Sequence, residues 1–130
     1  MIAADTNIVV RYVTNDDRVQ ADLAEQTLRS GDVLLIRTVL LETHWVLRKT
    51  YGLSPARIAA VLRAVLGLPG ISTDDPAAVV RALDWYEAGL DFADALHLAS
   101  SAAVTEFVTF DKRLGKRAAR LGAAPPVKVL

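Results

Sequence analysis

Residues 33–47 read Val-Leu-Leu-Ile-Arg-Thr-Val-Leu-Leu-Glu-Thr-His-Trp-Val-Leu. The unbroken apolar run Val33–Ile36, set between Asp32 and Arg37, suits a strand covered on both faces, as in a parallel sheet. A parallel strand needs a crossover before its neighbour can start, and a helix usually supplies it. The residues after Thr38 fit that role: they predict a helix to about Tyr51, with Thr38 as its cap and Gly52 as its stop.

The same alternation extends outward in both directions. Toward the N-terminus, Ile2–Ala4 is a short apolar strand running into Asp5-Thr6-Asn7, with a helix over about Thr6–Val13. Thr14-Asn15-Asp16-Asp17 breaks it, and Asn15 or Asp16 can cap a second helix reaching about Ser30. Val19, Leu23 and Leu28 form its expected apolar side, and Gly31 stops it. Toward the C-terminus, Ser54-Pro55 opens a helix to about Leu66, combining a cap with Pro at the first helical position. Ile71–Thr73 reads as a short strand. Asp75-Pro76 opens a helix through Trp85 and Tyr86 that Gly89 ends, and Asp91 caps one from Phe92 to about Val104. Phe107–Phe110 is a strand ending at Asp111. A basic helix closed by Gly122 follows, then a turn at Ala124-Pro125-Pro126 and a last strand, Val127–Val129. Strands alternating with helices predict an α/β fold on a mostly parallel sheet. There are no repeats or linkers, so residues 1–130 are read as one domain.

Composition narrows the function classes. Apolar residues make up 52% and charged residues 23%, the balance of a packed globular chain. The absence of cysteine removes disulfides, thiolate zinc sites and cysteine nucleophiles together. No apolar stretch is long enough for a membrane span, and the acidic start does not fit a signal peptide, so the expectation is an unprocessed cytoplasmic protein with no membrane partner. The formal net charge is zero, but it is unevenly spread. Lys112, Arg113, Lys116, Arg117 and Arg120 cluster without an acid, which leaves an acidic surplus elsewhere. Taken alone, such a run is most simply a solvated helix face. Beside acids that hold a cation, it becomes a candidate grip on RNA phosphates.

The acids give that alternative its weight. In open α/β sheets, ligands bind where strands end in loops at their carboxyl ends. Asp5 follows the first strand and Asp111 follows the Phe107–Phe110 strand. Asp94 lies in the first turn of its helix, and Glu42 early in the helix after Val33–Ile36. If the strands are parallel, all four emerge at one rim. Crowded carboxylates stay ionised only with a compensating cation, and hard oxygen donors favour Mg²⁺ or Mn²⁺. An ion so held activates water and stabilises a leaving oxygen, so the chemistry implied is phosphodiester hydrolysis. Singly, Asp5, Asp94 and Asp111 are ordinary helix-start aspartates. Glu42 has a weaker structural excuse, since its helix is apolar on most sides and a buried unpaired acid would be costly there. Asn7, Thr109 and Asp91 are supporting candidates, Asp91 being most simply the cap of the helix that carries Asp94. His97 shares a helical face with Asp94 but is read as a hydrogen-bonded packing residue. His44 and Glu42 point to different sides of their helix, and no H-E-x-x-H pattern occurs. Phosphate-binding glycine loops and a G-x-S-x-G elbow are also missing. Asp5-Thr6-Asn7 lacks the second aspartate of haloacid-dehalogenase-type phosphatases.

These segments resemble a known family. Met-Ile-Ala-Ala-Asp-Thr-Asn-Ile-Val-Val-Arg-Tyr-Val at Met1–Val13 resembles the opening of PIN-domain toxins, the VapC family of toxin–antitoxin systems. Leu40–Leu47 resembles their glutamate helix, Asp91–Ala99 their third acidic segment, and Val108–Lys112 their fourth, in matching order and spacing across nearly the whole chain. The resemblance implies a PIN-like three-layer sandwich, with a central mostly parallel sheet flanked by helices. It implies a Mg²⁺- or Mn²⁺-dependent endoribonuclease, the toxin of a pair whose VapB-like antitoxin blocks the site, and a homodimer. By motif position it carries metal binding onto Asp5 and Asp94, then Glu42 and Asp111, with Asn7 and Thr109 in support. Ala4 departs slightly, since the family often has a larger apolar residue there. Two rival readings stay open: a PIN nuclease of RNA processing or decay without an antitoxin, and a non-catalytic acidic-pocket binding module. A receiver-type module would need a phospho-acceptor at a mid-chain strand end, where this chain has Arg37-Thr38.

Overall fold

In the computed structural model, which describes all 130 residues, every strand pair is parallel. Strands β1 (Ile2–Ala3), β2 (Val33–Leu34) and β3 (Ile71–Ser72) form one sheet in that order. Strands β4 (Phe107–Thr109) and β5 (Val127–Val129) form a separate pair. Seven helices alternate with them: α1 (Thr6–Thr14), α2 (Arg18–Leu28), α3 (Arg37–Lys49), α4 (Pro55–Leu66), α5 (Pro76–Glu87), α6 (Phe92–Ala99) and α7 (Lys112–Leu121). The chain divides into two compact units, Met1–Pro76 and Ala77–Leu130.

In the first unit, Ile2 aligns with Val33, and Val33 in turn with Ile71. The ladder continues past the strands, since the Ala4 N–H donates to the Leu34 carbonyl and the Leu35 N–H to Ser72. Val33 and Leu35 are buried, together with Val9, Leu28, Leu40, Leu47, Ile58 and Leu62 from the surrounding helices, whereas Leu34 is half-buried and Ile36 exposed, so the run is not covered throughout as its sequence suggests. In the second unit, Phe107 aligns with Val127 and Thr109 with Val129. Helix α7 packs on this pair through Leu114 and Ala118. Phe92 is fully buried, with its ring 5.3 Å from that of Tyr86.

Four further local readings differ from the sequence, each with a physical cause. Asp17, rather than Asn15 or Asp16, caps α2 by accepting from the Gln20 N–H; Asn15 instead takes the left-handed conformation that closes α1. The buried side of α2 is Ala21, Ala24 and Leu28, while Val19 and Leu23 are exposed. Small side chains let α2 approach α1 closely, so the core selects the alanines over the larger residues. Thr38 lies inside α3, whose first N–H group, that of Arg37, is satisfied from outside by Asp74 at 3.0 Å. Helix α6 stops at Ala99 rather than Val104, where Ser100 and Ser101 turn the chain and the Ser101 hydroxyl returns to the His97 carbonyl.

Candidate functional site

Asp5, Asp94 and Asp111 occupy helix starts and Glu42 the second turn of α3, and each compact unit carries two of these four. In the first unit, Asp5 leaves β1 through the buried Ala4 and caps α1 in an extended conformation, accepting from the Ile8 N–H at 3.3 Å. Its neighbour Thr6 is buried, and its hydroxyl donates to Glu42 Oε1 on α3. Since β1 and β2 are parallel, Asp5 and the start of α3 lie at the same end of this sheet. Glu42 itself is exposed. Its place is therefore not a buried-charge problem, as the sequence suggested; it is fixed by a hydrogen bond from the residue next to Asp5. Asp5, Asn7 and Arg11 line a cavity of about 370 Å³.

In the second unit the clustering is tighter. Asp91 caps α6, its Oδ2 accepting from the Asp94 N–H at 3.1 Å. Asp111 caps α7, and its Oδ1 accepts from the N–H groups of Arg113 and Leu114, at 2.8 and 3.2 Å. Both bonds use one oxygen and leave Oδ2 without a helix donor. The Thr109 hydroxyl accepts from the Asp111 N–H at 3.0 Å and fixes the turn before α7. Asp91, Asp94 and Asp111 line one cavity of about 150 Å³ with Arg113 and Arg117.

Electrostatics single out Asp94. Partial burial, then the charges of Asp91 and Asp111, raise its carboxyl above the ordinary value, while His97 and Arg117 pull the other way. A carboxylate held this way against like charges is a group that a cation would relieve. His97 is exposed and acts on Asp94 through charge, so it is not the packing residue the sequence suggested.

No three Asp, Glu or His side chains of the protein form a set that could hold a metal by themselves. The donors nevertheless suit one type of ion. Mg²⁺ keeps several waters and takes one or two carboxylates plus substrate phosphates, whereas protein zinc sites are built mainly on histidine nitrogen and cysteine sulfur. All the candidate donors are carboxylate oxygens, so the hard ion fits.

Of the residues singled out from sequence, the structure brings together Asp5 with Asn7, and Asp91 with Asp94, Asp111, Arg113 and Arg117. Arg120 lines a neighbouring cavity, and Lys112 and Lys116 are exposed on α7. Sequence reasoning missed Thr6, because a threonine at a helix start is uninformative until its partner Glu42 is known.

Each unit thus sets strand-end or helix-start aspartates beside arginine, Asp5 beside Arg11 and Asp91, Asp94 and Asp111 beside Arg113 and Arg117, a combination whose chemistry suits phosphate esters. A family model for the PIN domain matches residues 2–120, and the chain belongs to that family. PIN domains are generally metal-dependent nucleases, which makes nucleic acid the substrate class. No individual curated protein and no solved structure matches significantly. No helix is long and apolar enough to cross a membrane.

Proposed function

We propose that this chain is a Mg²⁺- or Mn²⁺-dependent endoribonuclease, the toxin of a toxin–antitoxin pair. The observation that carries the hydrolytic part is Asp94, partly buried against Asp91 and Asp111 in a cavity that Arg113 and Arg117 also line. Asp5 and Glu42 from the first unit, with Asp94 and Asp111 from the second, are the proposed ligands. The PIN-domain match runs through both units, which favours reading residues 1–130 as one domain. The bound ion would supply Lewis-acid activation of water and charge neutralisation at phosphorus.

The protein's own groups do the rest. Thr6 holds Glu42 in place, leaving its second oxygen for a ligand. Helix α7 N–H groups hold Asp111 by one oxygen. Arg113 and Arg117 neutralise non-bridging oxygens of the substrate. In the reaction, a bond forms from a water oxygen to phosphorus and a phosphorus–ribose oxygen bond breaks. The proton lost by water appears on the leaving hydroxyl. The toxin role, a homodimer and a VapB-like antitoxin rest on the resemblance of Met1–Val13, Leu40–Leu47, Asp91–Ala99 and Val108–Lys112 to VapC toxins, and a cytoplasmic location is proposed with them.

Incubating the purified protein with labelled RNA and Mn²⁺, with and without chelator, tests the activity. Asp5→Asn and Asp94→Asn should each lower cleavage at least about a hundredfold. Full activity in either variant, or cleavage that survives chelation, would refute the assignment. Growth arrest on induction, relieved by a neighbouring antitoxin gene, separates the toxin from a processing nuclease.

A further inference from the structure

Phe110 is 81% exposed, more than any other large apolar side chain of the protein. It stands between β4 and Asp111, where the chain enters the basic helix. A lone exposed apolar side chain is ordinary on a protein surface, and a ring so placed is free to meet a ligand. The surroundings indicate which ligand. Helix α7 carries five cations and no acid, all of them exposed. Arg113, Arg117 and Arg120 recur at helical spacing and so share one stripe, with neighbours about one turn, or roughly 5.4 Å, apart. That is the order of the phosphate repeat in an extended strand.

Two cavities run along the stripe. One, of about 150 Å³, holds Asp94 and Asp111 with Arg113 and Arg117; the other, of about 190 Å³, holds Arg117 and Arg120 with Gly89. Arg117 lines both and donates to the Gly89 carbonyl at 3.5 Å, which places its guanidinium at their common wall. The charge of this track calls for a polyanion. The exposed ring calls for a flat apolar face, and only an unpaired strand offers its bases for stacking.

We propose that Phe110 and the Arg113–Arg117–Arg120 stripe form a single-strand RNA subsite, in which one base stacks on Phe110 and successive phosphates lie along α7. The subsite deepens the nuclease reading and rests on it for its substrate class. It makes the enzyme selective for unpaired RNA and gives the acidic cavity a phosphate grip on one side.

Fluorescence anisotropy of the full chain in EDTA, with a fluorescein-labelled oligouridylate and an RNA hairpin of equal length, measures binding without cleavage. The wild type should prefer the single strand. Phe110→Ala should weaken single-strand binding about five- to a hundredfold with an unchanged salt slope, and leave hairpin binding as it was. Phe110→Trp should restore affinity and show quenching of its fluorescence on binding. Arg117→Gln and Arg120→Gln should weaken both probes and each reduce the salt slope by about 0.7. Equal affinity for both probes would overturn the proposal. So would unchanged binding by Phe110→Ala, including the case where that variant instead loses self-association or an antitoxin, which would make the ring a protein contact. If binding behaves as described but no RNA is cut with Mn²⁺, the nuclease reading fails and the subsite stands. If RNA is cut and these variants bind as the wild type, the subsite alone fails.

Discussion

At the residue scale, glycines separate two costs that sequence inspection treats as one. Gly70 has φ +81°, and a Cβ there would lie 1.7 Å from the Gly31 carbonyl oxygen. The same residue's carbonyl accepts from the Val33 N–H, which starts β2 beside β3. Gly52, at φ +66°, has nothing within 4 Å of an added Cβ. Gly52→Ala therefore meets only the left-handed backbone penalty, about 1 kcal/mol. Gly70→Ala adds a clash with backbone that cannot rotate away, and should cost about 3 kcal/mol or more. Urea unfolding of the two variants checks the contrast; equal losses would mean that the Gly31–Gly70 approach does not constrain the sheet. Among the site residues, legibility tracked how local each role is. Asp5, Asp91 and Asp111 announce themselves because capping is written within three residues. Thr6 and Glu42, 36 residues apart, become a pair only after folding.

At the element scale, α3 and α7 show how a helix depends on segments remote in sequence. The first N–H group of α3 is capped by Asp74, which also meets the Arg37 guanidinium at 3.3 Å. Ile36 has no side chain that could cap the helix, so the nearest local candidate in sequence is Thr38, which lies inside it. Partial burial pushes Asp74 up, but the Arg37 N–H, guanidinium and charge outweigh it and hold its carboxyl below the ordinary value. A depressed carboxyl contributes stability above its unfolded value and loses it as pH falls through the folded one. Asp74→Ala should cost about 1 kcal/mol at pH 7. That difference should shrink in acid, below about pH 4. Parallel denaturant curves at neutral and acid pH decide it, and a pH-independent difference would rule out the carboxylate as the cap. Helix α7 carries the opposite surprise. Gly115 reads as a helix-weakening residue worth about 1 kcal/mol if replaced by Ala. Yet a Cβ there would sit 2.4 Å from Val129 Cγ2 on β5. Gly115→Ala should therefore destabilise by about 1 kcal/mol, and Val129→Ala in the same chain should recover the propensity gain. Additive losses in the double-mutant cycle would show that the contact is not limiting.

At the scale of the whole molecule, alternation of apolar strands and capped helices made the α/β class legible, and the parallel pairing followed from it. Its division into a three-stranded sheet and a separate pair was not legible, since strands two or three residues long carry no register signal of their own. The candidate site was readable for the same reason as the fold: acids placed after strands are local features, repeated along the chain. What no local feature encodes is whether acids from Met1–Pro76 and from Ala77–Leu130 serve one ion. Linkage makes that measurable without any substrate. A ligand that binds only the folded state stabilises it by about 2.7 kcal/mol at a hundred times its Kd, which raises Tm by several degrees. If Asp5 and Glu42 act with Asp94 and Asp111, replacing any one by its amide should abolish most of the rise in Tm caused by Mn²⁺, whichever unit the residue belongs to. In chelator, Asp94→Asn should melt at or above the wild-type temperature, because it removes a partly buried charge crowded by Asp91 and Asp111. Should Asp5→Asn and Glu42→Gln keep the full Mn²⁺ shift while Asp94→Asn and Asp111→Asn lose it, the ion belongs to the second unit alone. The first unit's acids would then have to act on substrate rather than on metal.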